Sequence, residues 1–330
     1  SQFAAAYIRS FREELGGDPE IPEIRLEEFG YLYLAGDREA ANVLRHNHAI
    51  QVGCGVGARL VSPKVLAEVW PFISPDGIEL ASHNPRDEGW FDGQAMFDWW
   101  RRKARARGVE FVADRVTALA RMGRDVMAVQ LASGAAVAPG WVVNAAGPRA
   151  AEVARMVRLP LPVEPRRRYS FLFEAEPLGG TLPLVIDPAG VHVRSDGGDG
   201  RRFLAGCPPA EDRAAAYDDF SMEDDVFEER VWPVLARRIP AFERLRLVNS
   251  WVGHYAYNTL DRNAVVGPDP EIRNFLWMNG FSGHGLQQAP AMGRGIAEIV
   301  AHGSYRALDL RPLGYARVMT HAPLTESAVI

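Results

Sequence analysis

The chain has 330 residues, 47% hydrophobic and 24% charged, the balance of a folded globular protein with room for about two domains. A net charge of −5 gives no electrostatic case for nucleic acid or an anionic membrane, and the basic runs 101–107 and 166–168 read as solvated or phosphate-facing surface. Cys54 and Cys207 are too few and too far apart for a disulfide framework or a CxxC metal signature, no metal site is expected, and no run approaches the ~18 apolar residues of a membrane span.

In chain order, Ala4, Ile8, Phe11 and Leu15 share one stripe, which predicts an amphipathic helix over 3–15, stopped by Gly16-Gly17-Asp18-Pro19. Residues 24–35 read as extended, and Asp37 is placed to cap a short helix. Ser62-Pro63 opens another that ends at Trp70-Pro71. From 71 to 93 the chain turns rich in Pro, Gly, Asp and Asn, the composition of a loop crossing between domains. A helix follows over 94–107, then extended runs at 109–113, 115–121 and 126–132 with glycine turns after the last two.

Trp141-Val142-Val143-Asn144 predicts a strand, leading through Ala145-Ala146-Gly147-Pro148 into a helix. Strands are expected at 169–174, 184–186, 190–194 and 203–206, and a helix from Ser221, with Asp224 as a capping-box partner, to Arg238. After a further extended run over 245–257, Phe275 to Met278 form an apolar run that stops at Asn279-Gly280. The chain then passes Gly283 and Gly285 and opens into helical spacing over 286–301. Glycines there let a flat ligand approach the backbone, and free N–H groups at the helix start favour negative charge. A plain β–α turn accounts for the same residues.

Gly280-Phe281-Ser282-Gly283-His284-Gly285, the strand into Ala145-Ala146-Gly147, and Asp261 ahead of Val265-Val266-Gly267-Pro268 together resemble the D-amino-acid-oxidase-like FAD oxidoreductases, which include sarcosine oxidase and dimethylglycine dehydrogenase. Matching text at 87–92, 161–166, 257–259 and 280–290 extends the likeness over nearly the whole chain. It points to a subgroup resembling a factor needed to build respiratory complex I.

The resemblance implies an α/β plus α+β fold: a FAD-binding Rossmann-like domain over 1–20, 88–160 and 253–330, interrupted by a mixed or antiparallel-sheet substrate domain over 21–87 and 161–252. The family's opening GxGxxG unit, which holds the ADP pyrophosphate, has no counterpart. Gly53-Cys54-Gly55-Val56-Gly57 has the wrong spacing and Gly293-Arg294-Gly295 sits in a helix, so an N-terminally incomplete member is expected. Its upstream sequence would decide between a functional fragment and a degraded one.

By the same resemblance FAD is the cofactor, met by Val116, by Ala145, Ala146 and Gly147, and by Gly280, Phe281, Ser282, Gly283, His284, Gly285, Leu286 and Gln287. His254 lies near where some sarcosine oxidases carry a flavin-linking cysteine, so non-covalent FAD is expected. His284, Tyr257 and Gln287 are the catalytic candidates, with Tyr169, Arg168, His192 and Tyr255 as further pocket groups. Gln287 stands where sarcosine oxidases grip the substrate carboxylate with lysine, which weakens the case for sarcosine itself.

The implied activity is oxidation of a small secondary or tertiary amine or N-methyl amino acid. Oxygen, a quinone or an electron-transfer flavoprotein would accept the electrons. The alternative is an assembly factor on a flavoprotein scaffold, with respiratory complex I subunits as partners. The expected compartment is cytoplasm for a bacterial source and mitochondrial matrix or inner-membrane face for a eukaryotic one, and no targeting region is visible.

Overall fold

The computed structural model describes residues 1–324, so the last six residues of the expected FAD-binding domain lie outside it. Strands β1 (Tyr31–Ala35), β2 (Arg59–Val61), β3 (Leu80–Asn84), β8 (Val163–Ala175), β9 (Leu184–Ile186), β10 (His192–Ser195), β11 (Arg202–Cys207) and β12 (Leu245–Asn258) form one sheet. Its order is β12-β8-β11-β10-β9-β1-β3-β2. Every pairing in it is antiparallel except β1 with β9. A second sheet joins β13 (Val265–Pro268), β14 (Phe275–Asn279) and β7 (Val142–Asn144), with β14 and β7 parallel. A third is the meander β4 (Val116–Met122), β5 (Asp125–Leu131) and β6 (Ala136–Val137).

The helices are α1 (Gln2–Arg9), α2 (Phe11–Glu14), α3 (Arg38–Gly53), α4 (Pro63–Val69), α5 (Gly93–Ala106), α6 (Ala150–Met156), α7 (Trp232–Arg238), α8 (Gly285–His302) and α9 (Ala316–Met319). Three have the caps their sequences signal. Asp37 accepts from the Ala40 amide at 2.8 Å, Ser62 from Val65 at 3.3 Å ahead of Pro63, and Asp92 from Ala95 at 2.9 Å.

The large sheet is stabilised on one face by an aromatic cluster in which Phe173 stacks on Phe203 and both meet Phe242 edge-on. All three rings are fully buried, each contributing about 1.5–3 kcal/mol of burial. The second core surrounds β14, where Trp277 stacks on Tyr315 at 4.3 Å between centroids. The Tyr315 hydroxyl donates to the Pro160 carbonyl at 2.6 Å. Tyr315→Phe keeps the stack and removes that bond, so chemical denaturation should show a loss of about 1 kcal/mol.

Five sequence expectations change. The helix over 3–15 breaks in two at Ser10, whose hydroxyl donates to the Ala6 carbonyl and competes with the helical ladder. The helix after Asp37 is long, at 16 residues. The stretch 71–93 is not all crossing loop: β3 lies inside it, between β1 and β2, its buried Ser82 and Asn84 disguising a core strand. The helix from Ser221 does not start there. The Ser221 hydroxyl donates to Asp219, Asp225 takes a left-handed φ of 53°, and helical structure begins as a π-type turn at Phe227. Of the extended runs, 109–113 joins no strand.

Candidate functional site

The C-terminal ends of the parallel pair β7 and β14 lie side by side, with Trp277 opposite Asn144. Each strand runs into a turn of small residues, the arrangement in which open α/β sheets leave a ligand crevice. Ala145 and Ala146 are exposed there and Gly147 is half-buried at φ 56°. Asn144 is buried and fixes that turn, donating to the Ala150 carbonyl at 3.0 Å and accepting from the Ala146 amide at 3.3 Å.

The second turn is more tightly built. Gly280, Ser282 and Gly283 all have positive φ, at 72°, 49° and 101°. A left-handed serine is uncommon, and here three bonds hold it. The Ser282 amide donates to the Ala256 carbonyl at 3.0 Å, its hydroxyl donates to the Gly280 carbonyl at 3.2 Å, and it accepts from the Asn258 amide at 2.9 Å. A Cβ on Gly283 would lie 2.6 and 2.7 Å from two ring carbons of Tyr255 and 3.0 Å from its hydroxyl oxygen, and one on Gly280 would lie 2.9 Å from Val163. These glycines therefore let the turn dock on β12 and β8. The His284 and Gln288 amides are spent on the carbonyls of Phe281 and His284. The amides of Gly285, Leu286 and Gln287 open the helix and have no acceptor in the preceding turn of α8, the usual state of a helix start.

Between this turn and the large sheet lies a cavity of about 210 Å³. Ser282, Gly283, His284 and Gln287 form one wall. Tyr31 of β1, His192 and Arg194 of β10, Leu204 of β11 and Tyr255 of β12 form the other, and Phe29, Gly89 and Leu184 complete the lining. A larger groove of about 590 Å³ lies elsewhere, between β13 and residues 303–316, and contains none of the expected site residues. The smaller cavity is the candidate because titratable side chains and a helix start converge on it.

Its electrostatics are those of an anion site. Arg194 is largely covered and uses one nitrogen on the Ser195 carbonyl and Asp196, each at 2.8 Å. Burial, with help from the neighbouring Arg194 and Arg168 guanidiniums, pushes His192 down to about 4. Burial also raises the Tyr31 and Tyr255 hydroxyls, and Arg168 pulls Tyr255 the other way. The Glu88 carboxyl is raised by burial as well, and accepts from the Tyr31 amide at 3.2 Å. Cys207 is pushed up to about 11 by burial, so it is a neutral thiol and no nucleophile.

Of the expected catalytic residues, His284 and Gln287 line this cavity and Tyr257 does not. Tyr257 sits two residues further along the same face of β12, with the guanidiniums of Arg166 and Arg168 4.9 and 5.9 Å from its ring centre. Tyr255 takes the cavity position, with Arg168 at 4.7 Å over its ring and that guanidinium held on both oxygens of Asp212 at 2.8 and 3.0 Å. His254 points elsewhere, stacked on Phe220 with Nε2 2.7 Å from the Asp219 carbonyl. Val116 begins the separate meander and packs against the core around β14.

Two residues escaped the sequence reading. Arg194 had no motif around it. Asn279 closes β14 fully buried, and among the described residues neither the oxygen nor the nitrogen of its side-chain amide has a hydrogen-bond partner. An orphaned buried polar group costs about 1–3 kcal/mol, which a polar ligand at the adjoining turn would offset. Both parallel strands end on asparagine before small residues, Val-Val-Asn and Trp-Met-Asn, a repeated signal that was open to view. Free helix-start amides, the exposed Ala145-Ala146 turn and the orphaned Asn279 fit a flat, polar group that gains negative charge on reduction, such as the flavin of FAD.

The family described as "DAO: FAD dependent oxidoreductase" matches residues 2–299. The cow protein called FAD-dependent oxidoreductase domain-containing protein 1 is 36% identical, over 96% of this chain and 71% of that protein. Its Xenopus laevis counterpart is 34% identical over 100% and 72%. Rat mitochondrial dimethylglycine dehydrogenase is 26% identical over 79% of this chain and 32% of its own length. Among solved structures, L-proline dehydrogenase from P. horikoshii superposes with a TM-score of 0.82 at 24% identity, covering 97% of this chain and 82% of that one. Glycine oxidase from Geobacillus kaustophilus gives 0.80 at 22%, covering 95% and 81%. At those identities the two structures show the fold alone: a Rossmann-like FAD-binding domain with a second, mixed-sheet domain. The chain belongs to the DAO family of FAD-dependent oxidoreductases.

Proposed function

We propose that the cavity between β10 and the start of α8 oxidises a small secondary or tertiary amine, foremost an N-methyl amino acid. Bound FAD supplies the acceptor for a hydride equivalent, leaving negative charge along its pyrimidine edge. The amides of Gly285, Leu286 and Gln287 are the donors for that charge, at a helix N-terminus that favours it. Ala145, Ala146, Gly147 and Asn279 would contact the cofactor from the switch point, Val116 its adenine end, and His284 and Gln287 would face the substrate.

The observation that carries this reading is that Arg194 and the start of α8 share one cavity. Gln287 cannot supply the cation that a substrate carboxylate needs, and Arg194, arriving from the opposite wall, can. Arg194→Gln should therefore raise KM for an N-methyl amino acid about 10- to 100-fold, the worth of a charge-assisted hydrogen bond, with kcat changed much less. Steady-state assay of sarcosine and dimethylglycine with a dye acceptor checks it. An unchanged KM for a carboxylate substrate that is turned over would contradict it. The physiological acceptor in this reading is oxygen, a quinone or an electron-transfer flavoprotein.

The assembly reading draws on the resemblance and on the absence of lysine at Gln287. Co-purification with respiratory complex I subunits, from cells in which the catalytic variants still support assembly, would favour it. Turnover of an N-methyl amino acid at ordinary enzymatic rates would remove it as the primary role.

A further inference from the structure

Arg194 shares its strand face with a second group. His192 lies two residues earlier on β10 and lines the same cavity. Its ring covers the cross-strand Gly206, where a Cβ would come within 2.6 Å of Nε2 and 2.7 Å of Cε1. Among the described residues neither ring nitrogen has a hydrogen-bond partner, so a half-buried ring faces the cavity with its polar atoms unused.

Its charged neighbours are two paired guanidiniums, Arg194 of β10 held on Asp196 and Arg168 of β8 held on Asp212. Tyr31 and Tyr255 face in from β1 and β12, with the Glu88 carboxyl on the Tyr31 amide, and β11 brings Leu204. β9 brings only Leu184, Val185 and Ile186, and the start of α8 brings His284 and Gln287. Burial and the two guanidiniums hold the imidazole neutral, pushing its pKa down to about 4. An amine gives up a hydride only once its nitrogen lone pair is free, yet an amino acid arrives as an ammonium. The cavity thus holds a neutral acceptor for that proton, and beside it the cation that keeps the acceptor weak.

We propose that His192 accepts the proton of the substrate nitrogen, and that the substrate's own carboxylate, seated on Arg194, switches it on. The ammonium N–H bond breaks, its electron pair stays on the substrate nitrogen, and the proton bonds to an imidazole nitrogen. The amine is then competent for hydride transfer to FAD, the family's oxidant. Arg194 already carries one carboxylate partner, Asp196, so the substrate carboxylate leaves that cluster net negative and favours the imidazolium. Once the product leaves, the guanidinium again disfavours the imidazolium and the proton goes to solvent. This rests on the amine-oxidising reading.

The test is made on the FAD-loaded protein with acetate, a carboxylate without a nitrogen. Titration calorimetry near pH 6 in buffers of different ionisation enthalpy reads proton uptake as acetate binds. The wild type should take up a fraction of a proton, because the imidazole's proton affinity rises by about tenfold with the anion in place. His192→Gln should bind acetate with no uptake, and Arg194→Gln should bind it at least tenfold more weakly. His192→Gln should also lose about 100-fold or more in kcat, with a pH profile displaced toward the pKa of the free substrate amine. Equal uptake in wild type and His192→Gln, no uptake in wild type, or no acetate binding at all overturns the proposal. Uptake that persists in a protein that oxidises no amine would sink the amine reading and leave the linkage standing.

Discussion

Gly283→Val should yield a protein that folds less stably and purifies with little or no flavin. At φ 101° a branched side chain is strained, by about 1–3 kcal/mol. Its Cβ would also lie 2.6 and 2.7 Å from Cε2 and Cζ of Tyr255. The ring cannot retreat, because Arg168 covers it at 4.7 Å and Asp212 holds both Arg168 nitrogens. Overpacking of this kind costs about 1–3 kcal/mol more. The turn has to move, and the first amides of α8 move with it. Visible flavin absorbance per protein, set beside the denaturation midpoint, separates the two effects. A variant of wild-type stability and full flavin content would show that the fit of this turn on β12 is unimportant.

The second large effect lies under that turn. Asp261 is wholly enclosed and accepts from Arg317 at 2.8 and 3.3 Å, from the Asn258 side chain at 3.0 Å, and from the amides of Asn263 and Leu324 at 3.1 and 3.0 Å. Arg317 in turn donates to the carbonyls of Leu313, Asn263 and Ala264 at 2.7–3.0 Å. The network fastens the end of β12, the start of β13 and the segment around α9, and Asn258 passes it on to Ser282. Arg317→Met strands a buried carboxylate and should cost about 3–5 kcal/mol.

Burial alone would raise the Asp261 carboxyl, but hydrogen bonds from Arg317, Leu324 and Asn263 outweigh it and the net shift is downward. A carboxyl held below its unfolded value of about 4 contributes fully above that pH, and the contribution is lost as pH falls through the folded value. Stability measured from neutral to acid pH should therefore fall below about pH 4 in the wild type. The fall should be shallower in Arg317→Met, which has already lost the pairing. Parallel curves would place the acid sensitivity elsewhere.

The strand–turn–helix over 275–302 was readable because three local signals agree there: an apolar run, a left-handed glycine turn and a 3.6-residue period. Its partner at Val142–Asn144 was readable for the same reason. The cavity was not. Its other wall is assembled by a sheet order that sets β1 between β9 and β3 and β11 between β8 and β10, so Tyr31, the β10–β11 pair Arg194 and Leu204, and Tyr255 meet from three distant segments. No spacing in the chain encodes that. Tyr255 and Tyr257 show the limit at its finest: they share a strand face, and only the register of β12 on β8 decides which one meets the turn. The resemblance to sarcosine oxidases marks Gln287 as a position lacking their cation, but not that β10 delivers Arg194 opposite it.

Anaerobic mixing of the FAD-loaded protein with N-methyl amino acids, followed by flavin absorbance, bears most directly on the central claim. The account predicts bleaching of the oxidised flavin by at least one such substrate, with half-saturation moved about 10- to 100-fold higher in Arg194→Gln. A flavin that stays oxidised with every secondary and tertiary amine offered, in a protein that binds FAD fully, would contradict it.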